Sequence, residues 1–191
     1  MINIRALFFK AAILAVFALG LLVARLFRRR WAASEISVMY VLGLLFEIVT
    51  GYMWNYHDIF IHFGSVFPAY FGGDISLLFP LGWAGWIMTC TTLAEEIWKR
   101  RAIRSWWARH LVLAAVWLIV GSAGETAFYR MGMIEYVRND MTRVNFLLGQ
   151  VPGLPPTMIL VGYGILQPFF SHYFRWLESD MARATKNRKT G

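Results

Sequence analysis

Residues 6–30 read ALFFKAAILAVFALGLLVARLFRRR. Only Lys10 and Arg25 interrupt the apolar run from Ala6 to Phe27. As a helix rising about 1.5 Å per residue, that run is long enough to cross a hydrocarbon core of roughly 30 Å. Arg28, Arg29 and Arg30 follow at once. A cleavable leader carries its charge before the apolar run and small residues after it; this stretch has the reverse, which predicts a retained anchor over 6–27.

Four further apolar stretches, at about 36–54, 75–93, 111–128 and 158–174, are each bounded by charge, proline or an aromatic cluster, as membrane spans are. The expected fold class is all-α: a polytopic membrane helix bundle of about five transmembrane helices, one domain over 1–176 with a basic tail at 177–191. Composition agrees. Of 191 residues, 58% are hydrophobic and 16% charged, and mean hydropathy is +0.50. Nine tryptophans suit the headgroup level, where a ring with an apolar body and a polar edge is best accommodated.

The net charge of +8 is gathered in blocks. With five spans, one side receives Arg25, Arg28 to Arg30, Lys99 to Arg101, Arg104 and Arg109, then Arg175, Arg183, Lys186, Arg188 and Lys189: fourteen of nineteen Lys and Arg. The first loop on the other side, 55–74, has none. The positive-inside rule then predicts a cell-membrane protein with its N-terminus outside and its C-terminus cytoplasmic, the tail touching anionic lipid. Basic blocks that abut apolar runs are membrane flanks, so no nucleic acid is expected as a partner. The single cysteine, Cys90, excludes an intrachain disulfide and reads as a small buried side chain.

After the anchor the chain runs twice through one plan: a span with a glutamate in its outer half, an aromatic outer loop, and a returning span opened by proline. Glu47 precedes Pro80 by 33 residues, and Glu125 precedes Pro155 and Pro156 by 30 and 31. Two such helical hairpins would be parallel repeats about an axis along the membrane normal, with sites forming where they meet. Alternating helices produce the same outline by chance, and the residues leave both readings open.

Glu47 sits in Leu44-Leu45-Phe46-Glu47-Ile48-Val49, where a carboxylate costs several kcal/mol unless it is partnered or neutral. Glu125 lies at a similar depth behind Gly121, Ser122, Ala123 and Gly124, small residues that let another helix approach closely. Two carboxyls sharing an apolar interior divide into a proton donor and an ionised partner that stabilises positive charge; alternatively they are a polar pair joining two helices. Trp54, Tyr56, Trp83, Trp86 and Tyr129 belong to the ring-rich outer half, either as an interfacial belt or as a lining whose π faces hold an apolar substrate and its cation. Glu95 and Glu96 read as surface partners of Lys99 and Arg100 at i,i+4.

No metal and no cofactor are expected. His57, Asp58 and His62 make an incomplete ligand set in a loop, and His110 and His172 do not form a well-placed haem pair. Phosphate-loop, dinucleotide, serine-elbow and zincin motifs do not occur.

Gly43-Leu44-Leu45-Phe46-Glu47, followed by Gly51, Trp54 and Tyr56 and then by Phe79-Pro80-Leu81-Gly82-Trp83, resembles the integral-membrane carotenoid hydratases of bacterioruberin-type biosynthesis. In those proteins a glutamate at a helix end precedes a Gly-x-Tyr-x-Tyr-like loop and a proline-rich helix start ending in Trp. Small membrane terpene cyclases are similar in using carboxylates on separate helices to start a carbocation. The likeness covers 43–86, with Tyr52 to Tyr56 where the hydratases are richer in glycine, and it carries over Glu47. It implies an isoprenoid substrate. The leading expectation is then an enzyme in which Glu47 protonates a double bond and Glu125 stabilises or deprotonates the cation.

Two other classes stand beside this enzyme of cyclase or hydratase type. One is a non-catalytic accessory subunit of a larger membrane complex, its acids bonded between helices and its rings set against other chains or pigments. The other is a small transporter, suggested by repeats and buried acids, although the spans show few central Gly-Pro breaks of the kind that build midplane ion sites. Membrane lipids are expected partners in each case, and assembly as a homo-oligomer or with other membrane subunits stays open.

Overall fold

The computed structural model describes residues 4–50, 55–56, 78–132, 134–135, 162 and 164, and for 4–7, 9, 46–50, 55–56 and 134–135 the backbone alone. The tail 177–191 and all of the stretch 158–174 except Gly162 and Gly164 lie outside the described residues. The described part is all-helical apart from one two-residue pairing. Its elements are α1 (Ile4–Leu26), α2 (Ala33–Thr50), β1 (Asn55–Tyr56), α3 (Phe79–Arg100), α4 (Trp106–Arg130) and β2 (Ile134–Glu135). β1 and β2 pair antiparallel, Asn55 opposite Glu135 and Tyr56 opposite Ile134.

Local chemistry sets the helix ends where hydropathy alone does not. α3 starts at Phe79 rather than near 75, with Pro80 in the first turn, where its missing N–H has no helical partner to lose. It continues past Leu93 to Arg100 because Ala94 and Trp98 extend its buried face. α1 and α3 end in the same way. Arg28 has φ of 55° and Ala102 has φ of 49°, and the next residues, Arg29 and Ile103, donate N–H bonds back to the Ala24 and Trp98 carbonyls at 2.8 and 2.9 Å. This paired closure satisfies carbonyls that a helix end leaves open. It does so with side chains that tolerate the left-handed region at a cost of about 1 kcal/mol each.

α3 is the centre of the bundle, packing against α1, α2 and α4. It is buried on nearly every side, and small residues on it bring α1 into backbone contact. A Cβ on Gly85 would lie 2.5 Å from the Val16 carbonyl oxygen, and one on Gly20 would lie 2.6 Å from the Gly85 oxygen. Ile13 of α1 faces Gly82, while Gly20 faces Gly85 and Met88, so the two helices run parallel. Close approach through glycine raises the number of dispersion contacts along the crossing, which is the main attraction available between apolar helices in an apolar medium.

Among the described residues one helix, Trp106–Arg130, is long and apolar enough to cross a membrane. Apolar side chains also face outward: Leu14 and Leu22 on α1, Val41 and Leu45 on α2, and Leu111 and Ile119 on α4 are all exposed.

Gly85→Ala is expected to disrupt the α1–α3 crossing, because the new methyl meets backbone that cannot move aside, whereas Gly82→Ala meets only the Ile13 methyl at 3.5 Å. Overpacking of this kind costs roughly 1–3 kcal/mol. In detergent, Gly85→Ala should melt several degrees lower and Gly82→Ala within error of the parent; equal melting of the two variants would contradict the crossing.

Candidate functional site

The two ends of the bundle differ in chemistry. At one end the Arg29 guanidinium lies 3.8 Å from the Glu35 carboxylate and 3.7 Å from that of Glu95, and it sits over the Trp31 ring at 4.5 Å. Glu35 also accepts a hydrogen bond from the Ala32 backbone N–H, which is half of a capping box at the start of α2. One arginine thus ties the C-terminal end of α1, the N-terminal end of α2 and the C-terminal end of α3. Arg109 holds the next turn, its Nε donating to the Ile103 carbonyl at 2.9 Å while its guanidinium lies 5.6 Å from the Trp98 ring. Arg25, Arg28, Arg30, Lys99, Arg101 and Arg104 gather at this same end.

The opposite end holds the start of α3 and the last turns of α2 and α4, and there Glu47 and Glu125 occur. The β1–β2 pairing joins the segments that leave α2 and α4. Its register is informative: Tyr56 and Ile134, which face each other, each lie nine residues beyond one of the glutamates. Both acids therefore belong to one end of the bundle, at matching positions in their segments. Glu125 is buried, 6% exposed. Of Glu47 the structure describes the backbone position in α2, three residues from its end.

The same end of the bundle holds a cluster of rings. Phe79, Trp83, Trp86 and Phe128 meet edge to face, with centroid separations from 5.8 Å (Trp83–Trp86) to 6.4 Å (Phe79–Trp86). This arrangement aims positive ring edges at negative faces. The cluster reaches both glutamate-bearing helices through glycine. A Cβ on Gly43, one turn before Glu47, would lie 2.8 Å from the Trp83 Cβ, and one on Gly124, adjacent to Glu125, would lie 2.4 Å from the Trp86 Cζ2.

Of the residues expected to line a substrate cavity, Trp83 and Trp86 are brought together, each 4% exposed. They pack on one another rather than forming an open interfacial belt. Tyr129 is half-buried one turn after Glu125. Tyr56 is placed by its backbone in β1. Trp54 lies outside the described residues, as do His57, Asp58, His62, His172, Pro155 and Pro156. Among the described residues no group of His, Cys, Asp and Glu is arranged to hold a metal ion. Glu96 does pair with Arg100, at 2.7 Å, but Glu95 reaches across to Arg29. Glu35 was not singled out by its spacing, although its position three residues after Ala32, ahead of an apolar run, is a legible helix-start signal.

Gly124→Ala is expected to push Trp86 out of the ring cluster, lowering stability by about 1–3 kcal/mol and changing the near-ultraviolet circular dichroism of the tryptophans. Ser122→Ala removes a buried hydroxyl with no hydrogen-bond partner and should leave both readouts unchanged. An unaltered tryptophan spectrum in Gly124→Ala would show that the cluster does not depend on that contact.

Compared with protein-family models, curated proteins and solved structures, the chain matches none.

Proposed function

We propose that the chain is a multi-pass membrane protein whose glutamate-bearing end faces outward and acts on a hydrophobic isoprenoid or related lipid. The membrane reading is supported by α1, α2 and α4, which carry large apolar side chains on exposed faces; in water such a surface would be costly over so large an area. Orientation follows from the basic end, which the positive-inside rule assigns to the cytoplasm. The matching register of Glu47 and Glu125 about the Tyr56–Ile134 pair supports two helical-hairpin repeats, the second returning through the stretch at 158–174.

The observation that carries the catalytic reading is the burial of Glu125, next in sequence to the glycine against which Trp86 packs, at the end of the bundle that also holds Glu47. In the proposed reaction the Glu47 carboxylic acid gives its proton to one carbon of a C=C bond. The O–H bond breaks, the C–H bond forms with the π electrons, and a carbocation and a carboxylate result. Glu125 faces the cation as an anion and either takes a proton from the neighbouring carbon, restoring a double bond, or directs a water whose oxygen bonds to the cation and whose proton returns to a carboxylate. Ring faces stabilise the positive charge by about 1–2 kcal/mol each in a dry site. The resemblance of 43–86 to carotenoid hydratases points to the same substrate class.

A second reading, that of a non-catalytic subunit in a membrane complex, is favoured by one observation: Trp83, Trp86, Phe79 and Phe128 fill the space between one another. On that reading Glu125 is a structural acid between helices.

Topology, lipid products and a point variant test these proposals. A reporter fused after Arg101 is expected to be cytoplasmic and one fused after Glu135 external, with the protein retained in membranes after alkaline extraction; release into the soluble fraction would refute membrane insertion. Lipid extracts from cells with and without the gene should differ in terpenoid products. Glu47→Gln, at parent expression level, should cut turnover by roughly 10²–10⁴-fold, as expected for loss of a general acid. Full activity in that variant would sink the catalytic assignment, and unchanged extracts with stable co-migration of other subunits would establish the second reading.

A further inference from the structure

At the basic end, the turn between α1 and α2 encloses a cleft of about 480 Å³. Leu21 and Ala24 give it an apolar part, and Arg25, Arg28 and Arg30 a cationic one. Arg29 and Trp31 close one side, and Arg29 is already committed to Glu35 and Glu95. The other three differ: they are exposed, and among the described residues no carboxylate pairs with any of them. Three cations around one hollow repel each other unless an anion joins them. The left-handed conformation of Arg28 bends the chain so that Arg30 returns to the same hollow as Arg25, where a straight helix would carry them apart.

We propose that this cleft binds the phosphate of an anionic phospholipid from the inner leaflet. The inference rests on the membrane reading given above. Guanidinium groups recognise phosphate oxygens through paired N–H donors, and the cationic part offers three of them. The apolar part selects a lipid over free phosphate: Leu21 and Ala24 lead from the arginines to the exposed Leu14 and Leu22 on α1, a surface along which an acyl chain can lie. Trp31 stands at the level where a tryptophan ring meets headgroups. The Arg29–Glu35–Glu95 cluster is a positioning element, fixing the turn that shapes the hollow.

The test uses the full chain purified in a neutral detergent and examined by native mass spectrometry with phosphatidylglycerol, phosphatidylcholine or inorganic phosphate. The parent should retain one phosphatidylglycerol in preference to phosphatidylcholine. The triple variant Arg25→Gln, Arg28→Asn, Arg30→Gln should lose that lipid at least tenfold, since it removes every guanidinium free to bind the phosphate oxygens directly; asparagine is chosen because it tolerates the left-handed conformation. A charge-matched control, Lys99→Gln, Arg101→Gln, Arg104→Gln, removes three cations from the neighbouring turn and should retain the lipid within twofold.

Equal losses in the two triple variants would overturn the site in favour of diffuse surface charge. Displacement of phosphatidylglycerol by millimolar inorganic phosphate would overturn the lipid as occupant and assign the cleft to a free phosphate. Membrane insertion is read separately, by alkaline extraction of the parent and of both triple variants, so that its failure is distinguished from loss of the lipid site.

Discussion

Backbone contact between Gly20 and Gly85 governs how closely α1 and α3 approach, and most of the remaining packing is fitted around that crossing. With no side chain at either position, the Val16 carbonyl and the Gly85 carbonyl come within about one atom's width of the opposing helix. The helices therefore meet along a shallow, extended line where bulkier residues would hold them apart. α3 then lies deep enough for α2 and α4 to cover its other faces, which is why Phe79, Trp83 and Trp86 are buried rather than spread at an interface. A central helix buried in this way accommodates Thr89, whose hydroxyl donates to the Gly85 carbonyl at 2.8 Å, within otherwise apolar surroundings.

The ends of the bundle use different means to fix the helices once they are this close. At the basic end a single arginine satisfies two carboxylates from two helices, and its partners are largely shielded, with side-chain exposures of 9% for Glu35 and 11% for Glu95. Partial burial strengthens such a pair relative to a surface pair, but removing one member leaves the other charge stranded. The other end is held differently. Edge-to-face rings and the two-residue strand pair do that task, leaving the glutamates in an apolar frame.

Much of this was legible in local sequence, and the exceptions share one cause. Apolar runs locate α1 to α4 because hydropathy is a local sum, and the basic blocks locate one end of the bundle. Helix ends shifted where a special residue intervened: Pro80 delays α3, and left-handed Arg28 and Ala102 terminate α1 and α3 without a glycine to announce it. Partners across helices were not legible. Glu95 has Lys99 four residues on, so a local rule pairs them, yet Arg29 lies about 66 residues away in sequence and reaches it through the α1–α3 crossing. The role of Gly85 was invisible for the same reason: glycine in a span carries no sign of which helix it will meet. Glu47 and Glu125 were identifiable because an acid in an apolar run is costly wherever it points, and the alternation of spans already set them toward one side; the strand pair adds the register that relates their segments.

On the proposed reading, the two glutamates share a frame, while the helices that carry them pack differently against the rings. Gly43 and Gly121 each precede a glutamate by four residues, and both are buried, so the duplicated frame extends to the helix face one turn back. Packing does not follow the frame. Trp83 fills the place against Gly43, whereas on α4 the corresponding ring, Trp86, sits against Gly124, next to Glu125 and about a quarter-turn around the helix. Two carboxyls in identical settings would hold their one shared proton equally, so neither would be fixed as the donor. Unequal ring contacts are the kind of difference that separates a proton donor from an ionised partner. A duplicated scaffold with diverged packing is thus chemically more useful for acid-initiated chemistry than a symmetric one, because symmetry supplies the common depth and its local failure supplies the division of roles.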